Sequence, residues 1–185
     1  MEIRKASRKD AGNLAALFNH VEDSGYMLFN PGERKATGKQ MEKQMEQIEK
    51  NPLSVFLVAA SGHELKGYLI LLGNQMGRTR HSAKIVIGIN EQDRGKGIGT
   101  RLFQKMEEHA RTNEIRRLEL SVIANNAPAL SLYRKMGFEK EGIKRESLFF
   151  DGKYHDEYFL SKLLLKNVLS NNRMSDNINF VVKNE

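Results

Sequence analysis

With 185 residues and no cysteine, the chain is long enough to bury one hydrophobic core and excludes disulfides, cysteine metal sites and a cysteine nucleophile. Lys and Arg number 30 against 23 Asp and Glu, a net charge of +7, which favours an anionic partner such as nucleic acid, an acidic membrane surface or a phosphorylated small molecule. No apolar run approaches the roughly 20 residues of a membrane span, the opening "MEIRKASRKD" lacks a signal-peptide core, and the five histidines never pair at metal-ligand spacing. These features predict a cytoplasmic protein with no metal and no membrane contact.

The first strand is predicted over Glu2–Ala6. Ser7 and Asp10 then form a capping-box pair, and Ala11, Leu14, Ala15, Phe18 and Val21 follow at helical spacing. A turn-rich stretch, "DSGYMLFNPGERK", breaks that periodicity. A second helix is predicted from Thr37, with Gln40 as its capping-box partner and Met41, Met45 and Ile48 on one face; it stops before Pro52. "LSVFLVAA" (Leu53–Ala60) and "LKGYLILL" (Leu65–Leu72) read as a hairpin around Ser61-Gly62, and a third run ends in "AKIVIGI" (Ala83–Ile89).

A helix to about Arg111 comes next, with Leu102, Phe103, Met106 and Ala110 inward. "RLELSVI" (Arg117–Ile123) alternates as a strand does: Leu118, Leu120 and Val122 point one way, Glu119 and Ser121 the other. "NNAPALSLYRKMG" carries capping asparagines, Pro128 in its first turn and Gly137 as a stop. Two last strands flank the Asp151-Gly152 turn. The asparagine-rich stretch from Lys166 reads as an appendage, so the predicted organisation is one α/β domain over 1–165 followed by 166–185.

The stretch "DRGKGIGTRL" (Asp93–Leu102) places a glycine-rich turn between a strand and a helix. Unpaired N–H groups and the helix dipole make such a start an anion site, and glycine lets a phosphate approach bare backbone. Two nucleotide motifs fail the spacing. The dinucleotide fingerprint G-x-G-x-x-G/A finds Thr100 at its third small position, and the P-loop pattern finds Gly97 after Lys96 where Ser or Thr belongs.

What fits is Arg94-x-x-Gly97-x-Gly99, which resembles the R/Q-x-x-G-x-G/A block of the GCN5-related N-acetyltransferases (GNAT). Downstream, Val122, Asn126, Ala129, Leu132, Tyr133, Lys135, Gly137 and Phe138 match that family's second block, V-x-x-x-N-x-x-A-x-x-L-Y-x-K-x-G-F. The element order is similar as well, over roughly Met1 to Leu165. The resemblance implies an α/β (α+β) fold: a mixed, mostly antiparallel sheet of six to seven strands flanked by about four helices, with strands 4 and 5 splayed.

The same resemblance implies acetyl-CoA as cosubstrate. Its pyrophosphate would lie on the backbone of Arg94, Gly95, Lys96, Gly97, Ile98, Gly99 and Thr100, and its pantetheine in the splay beside Ile85–Ile89. Asn126 would position the pantetheine, and Lys135 would approach the adenosine phosphate. A backbone N–H at Ile87 or Ile89 would stabilise the oxyanion. Tyr133 is the candidate general acid, since a phenol of pKa about 10 stays protonated at neutral pH and above a thiol of about 8.5. Protein N-terminal members carry a glutamate where Ser121 stands here, which leaves Glu119 or Glu33 as candidate base. Tyr26, Met27 and Phe29, with Glu33, are expected to form the acceptor wall.

The leading reading is an N-acetyltransferase acting on a primary amine, either a small molecule or a protein N-terminus or lysine. Its alternative is a catalytically silent CoA-binding sensor. A nucleic-acid-binding domain ranks last, because aromatic-basic interleaving on a strand face is missing. A homodimer is the expectation for members of such a family.

Overall fold

Every position of the strand Val55–Ser61 except the last is buried, and a strand buried on both sides needs cover on both faces of its sheet. The computed structural model, which describes residues 1–165, supplies that cover with two pairs of helices; the appendage expected at 166–185 lies outside the described residues. In chain order the elements are β1 (Glu2–Lys5), α1 (Ala11–Glu22), α2 (Gly38–Glu49), β2 (Val55–Ser61), β3 (Glu64–Gly73) and β4 (Ser82–Ile89). They continue with α3 (Ile98–Thr112), β5 (Arg117–Ile123), α4 (Ala127–Lys135), β6 (Glu139–Phe150) and β7 (Lys153–Leu163). The strands form one sheet ordered β1-β2-β3-β4-β5-β7-β6. This is the α/β arrangement implied by the resemblance, at the upper end of its strand count.

α1 and α2 pack on one face, where Leu14, Phe18, Met41 and Met45 meet Phe56, Val58, Tyr68 and Ile70. α3 and α4 cover the other, where Leu102, Phe103, Met106 and Tyr133 meet Leu57, Leu69, Ile85, Leu118 and Leu120. The local starts follow from the sequence. Thr37 Oγ1 accepts from Gln40 N–H (3.3 Å) and Gln40 Oε1 accepts from Thr37 N–H (2.8 Å), closing the box that begins α2. The pair at Ser7 is different in use. Asp10 accepts from Ser7 N–H (2.7 Å) and Oγ (2.9 Å) while Arg4 holds both carboxylate oxygens at 2.7 Å; this locks a short 3-10 turn (Arg8–Asp10) ahead of α1.

β2 starts two residues later than the apolar run suggested. Asn51 explains the shift: its Oδ1 accepts from Leu53 N–H (3.1 Å) and its Nδ2 donates to Gly73 O (2.7 Å), so Leu53 is buried inside a turn rather than in the ladder.

The feature that positions the site is a partial pairing. β4 and β5 run parallel and pair only at Ser82–Arg117, Ala83–Leu118 and Lys84–Glu119. Beyond that rung β4 stays with β3 to Ile89 and β5 with β7 to Ile123, so the two strands part and leave a V-shaped gap in the middle of the sheet. Among the described residues no helix is long and apolar enough to cross a membrane.

Candidate active site

The gap between β4 and β5 opens into a cleft of about 970 Å³ that runs from the start of α3 to the loop after α1. At the α3 end, Gly95 and Gly97 adopt left-handed φ values of +76° and +78°, a conformation that costs other L-residues about 1–2 kcal/mol. The first N–H groups of a helix have no intrahelical acceptor, and here the ladder resumes with Arg101 N–H donating to Gly97 O (3.2 Å). The residues from Arg94 to Thr100, except Lys96, line the cleft. That cradle suits a diphosphate.

Gly99 serves another end. A Cβ there would stand 2.5 Å from Leu132 Cδ2, so its bare Cα lets α3 begin against α4. Lys96 turns to Asp93 (2.9 Å), which Lys66 also approaches at 3.7 Å. Asp93 is a buried carboxylate inside the glycine-rich turn, held below the usual carboxylate range chiefly by the Lys96 hydrogen bond. In the sequence it looks like an ordinary loop acid; the fold brings it both Lys96 of the same turn and Lys66 of β3.

On the wall of the gap, Asn90 N–H donates to Lys66 O (2.9 Å), in register with the pairs Tyr68–Gly88 and Ile70–Val86. Antiparallel alternation then turns the N–H groups of Ile87 and Ile89 away from β3 and into the gap. Gly88 is bare for a steric reason: a Cβ would stand 2.5 Å from the Tyr68 ring, which stacks on Phe18 at 4.0 Å.

Tyr133 lines the cleft from α4 and is 7% exposed. It packs edge-on to Phe103 (5.9 Å), and burial pushes its phenol pKa upward, which keeps it protonated. Asn126 caps α4, its Oδ1 accepting from Ala129 N–H at 3.2 Å, and it lines the cleft together with Lys135.

The other half of the cleft lies on the α1/α2 face. Tyr26, Met27 and Leu28 line it from the loop after α1, opposite Glu119 and Ser121 of β5. Glu119 is paired to Arg117 Nε at 3.1 Å. Phe29 and Glu33 stand outside the cleft-lining residues. Phe29 lies under the Arg34 guanidinium (4.1 Å) and Glu33 accepts from Asn30 N–H (2.8 Å). Arg34 in turn pairs with the buried Glu22, which ties this loop to the end of α1. Neither Glu22 nor Arg34 stands out in the sequence, because the loop has no periodicity to read.

Comparison with known proteins agrees with this geometry. Residues 16–138 match the profile of the acetyltransferase (GNAT) family. The L-amino acid N-acetyltransferase AaaT of Escherichia coli (strain K12) is 33% identical over 99 residues, 52% of this chain and 60% of that protein. The N-alpha-acetyltransferase RimI of Mycobacterium tuberculosis is 34% identical over 95 residues, 50% of this chain and 57% of its own length. The matches thus span less than two thirds of either relative. Among solved structures, an acetyltransferase of the GNAT family from Streptococcus pneumoniae superposes with a TM-score of 0.82 at 28% identity, covering 88% of this chain and 98% of that one. A phosphinothricin acetyltransferase of Sinorhizobium meliloti in complex with acetyl-CoA shares the fold at a TM-score of 0.78 and 19% identity, covering 88% of each chain. With its splayed β4 and β5 and its profile match from 16 to 138, the chain belongs to the acetyltransferase (GNAT) family.

Proposed function

We propose that the protein is an N-acetyltransferase that moves an acetyl group from acetyl-CoA to a primary amine. One observation carries this reading: the same gap in the sheet joins a glycine cradle at one end to a buried, protonated Tyr133 on its wall. The Sinorhizobium neighbour holds acetyl-CoA on the same fold. The two sequence relatives are named for an amino acid and for an α-amine.

Acetyl-CoA supplies an activated acyl group in its thioester. The chain's residues do the rest. Backbone N–H groups from Gly95 to Thr100 take the diphosphate at the positive end of α3. The N–H of Ile87 or Ile89 donates to the carbonyl oxygen as charge develops there. Asn126 holds the start of α4, and with it Tyr133, against the gap, and Lys135 extends the positive rim. The acceptor amine enters neutral from the α1/α2 face, between Tyr26 and Ser121. It forms the C–N bond as the C–S bond breaks, the Tyr133 hydroxyl gives its proton to the sulfur, and the amine's proton leaves through solvent to Glu119. Glu119 then gives its proton up to solvent, and solvent reprotonates Tyr133.

Melting curves with acetyl-CoA, followed by a thiol assay of CoA release over chemically diverse amines, test the proposal. Stabilisation and amine-dependent release are expected. If millimolar acetyl-CoA neither binds nor stabilises the protein, the reading is wrong. Binding without turnover of any amine would instead make it a silent CoA-binding module.

A further inference from the structure

The acceptor half of the cleft carries one cation too many for its own needs. Lys84 sits at the last paired rung of β4 and β5, opposite Glu119 and beside Leu72 of β3. It shares a face with Val86 and Gly88, the α1/α2 side, and its side chain is exposed and lines the cleft. The carboxylates lining the same cleft are already committed. Glu119 is held by Arg117 at 3.1 Å, Glu157 by Lys144 at 3.7 Å, and Asp93 by Lys96 at 2.9 Å. Lys144 is further occupied by Ser121 Oγ at 2.8 Å. Among the described residues this leaves the Lys84 ammonium without a carboxylate, at the closed bottom of the splay.

An unpaired cation at that point sorts amines by what is attached to them. A polyamine or a lysine side chain would bring a second positive charge or none at all. A peptide N-terminus has a neutral amide beside its amine. A free α-amino acid brings a carboxylate one carbon from the amine. Lys84 and Gly88 are two same-face steps apart, roughly 13 Å at about 3.3 Å per residue; the lysine stem and an amino acid together fill that length. The surroundings favour an apolar side chain: Leu72 is 40% exposed beside Lys84, and Tyr26 and Leu28 are 39% and 74% exposed across the cleft.

We infer that the acceptor is a free α-amino acid with an apolar side chain, and that Lys84 selects it by holding its carboxylate while the amine points toward Gly88. The inference rests on the transferase reading above.

The test measures CoA release from acetyl-CoA with the proteinogenic L-amino acids, their amides, spermidine and a short peptide beginning with alanine. Titration of acetyl-CoA by calorimetry runs beside it. An ammonium-carboxylate hydrogen bond should make the free acid better than its amide by about 10- to 100-fold in kcat/KM. Lys84→Gln should remove that difference, Lys84→Arg should retain it, and both variants should bind acetyl-CoA within about twofold of the wild type. The inference is overturned if the wild type uses amide and acid equally, or prefers spermidine or the peptide. It also fails if Lys84→Gln keeps the preference, or if acetyl-CoA binds and no amino acid is acetylated. Absence of acetyl-CoA binding in the wild type would overturn the transferase reading itself, and this inference with it.

Discussion

Replacing Gly97 by alanine adds a methyl group that touches nothing, because no heavy atom lies within 4 Å of the new Cβ. Its effect on stability therefore comes from the backbone alone. Gly97 has φ +78° at the N-cap of α3, and an alanine held there costs about 1–2 kcal/mol. The unfolded chain loses freedom at the same time, which returns about 0.4–1 kcal/mol. The net loss is about 1 kcal/mol, or about 2–4 °C in Tm for a domain of this length. Gly77, with open surroundings and no left-handed φ, is the matched control: Gly77→Ala should leave Tm unchanged or slightly raised.

Binding should respond more strongly than stability. Gly97 lines the cleft, so the methyl group stands where a phosphate would meet the N–H groups of α3. Loss of one hydrogen bond to a charged group is about 1.5–3 kcal/mol, which weakens acetyl-CoA by about 10- to 100-fold at about 1.4 kcal/mol per decade. Calorimetric titration reads the Kd, and differential scanning fluorimetry with and without acetyl-CoA reads both effects on one sample. A Gly97→Ala protein that melts with the wild type and binds acetyl-CoA equally well would refute both the strain and the cradle.

Tyr133→Phe should lower kcat by about 10²-fold or more, the range of a lost general acid, with acetyl-CoA Kd within about twofold; parallel loss of both would make the residue structural. Gly88→Ala forces a Cβ to within 2.5 Å of the stacked Tyr68 ring, so Tm should fall by the equivalent of about 1–3 kcal/mol, and Tyr68→Leu in the same chain should recover part of it. Arg4, whose hydrogen bond is the largest cause, holds Asp10 at about 2; a carboxylate depressed in the folded state adds stability above its unfolded pKa and loses it as pH falls through about 2. With Arg4 32% exposed, solvent screening reduces that contribution to about 1 kcal/mol. Arg4→Met should therefore be less stable than the wild type in urea at pH 7, and the gap should close between pH 4 and pH 2.

Elements with a strong local pattern were readable from sequence. β5 begins and ends at Arg117 and Ile123, as its strict alternation requires, and α2 starts where Thr37 and Gln40 can cap each other. The glycine turn and the helix start expected to hold the donor are contiguous in the chain, and all of Arg94 to Thr100 except Lys96 do line the cleft. The acceptor side was not readable in that way. Tyr26 reaches the cleft while Phe29 and Glu33 do not; that outcome hangs on Arg34 pairing with Glu22 and covering Phe29, contacts that follow no period. Lys84 carried a faint signal, a lone charge within "AKIVIGI", yet its meaning depends on which carboxylates are already taken.

On the proposed reading, that dependence puts the control of acceptor choice away from the residue that would touch the acceptor. Arg117 bonds Glu119 through Nε (3.1 Å) and Glu141 through Nη1 (2.8 Å), and Glu141 is brought to about 2, first by Arg117 and then by Ser161. One guanidinium therefore holds two carboxylates, Glu119 on the rung of Lys84 and Glu141 at the bulge of β6. Had β5 begun with a lysine, its single ammonium point charge would lack the fork that grips both partners, and Glu119 would be left to neutralise its own rung partner, Lys84. The proposed ligand site at Lys84 thus depends on Arg117, on the same parallel ladder, holding the rung partner Glu119 at 3.1 Å. On the proposed reading, a run of contiguous residues, Arg94 to Thr100, holds the donor, whereas acceptor choice depends on Lys84 of β4 staying unpaired while Arg117 of β5, Glu141 of β6 and Ser161 of β7 bond one another.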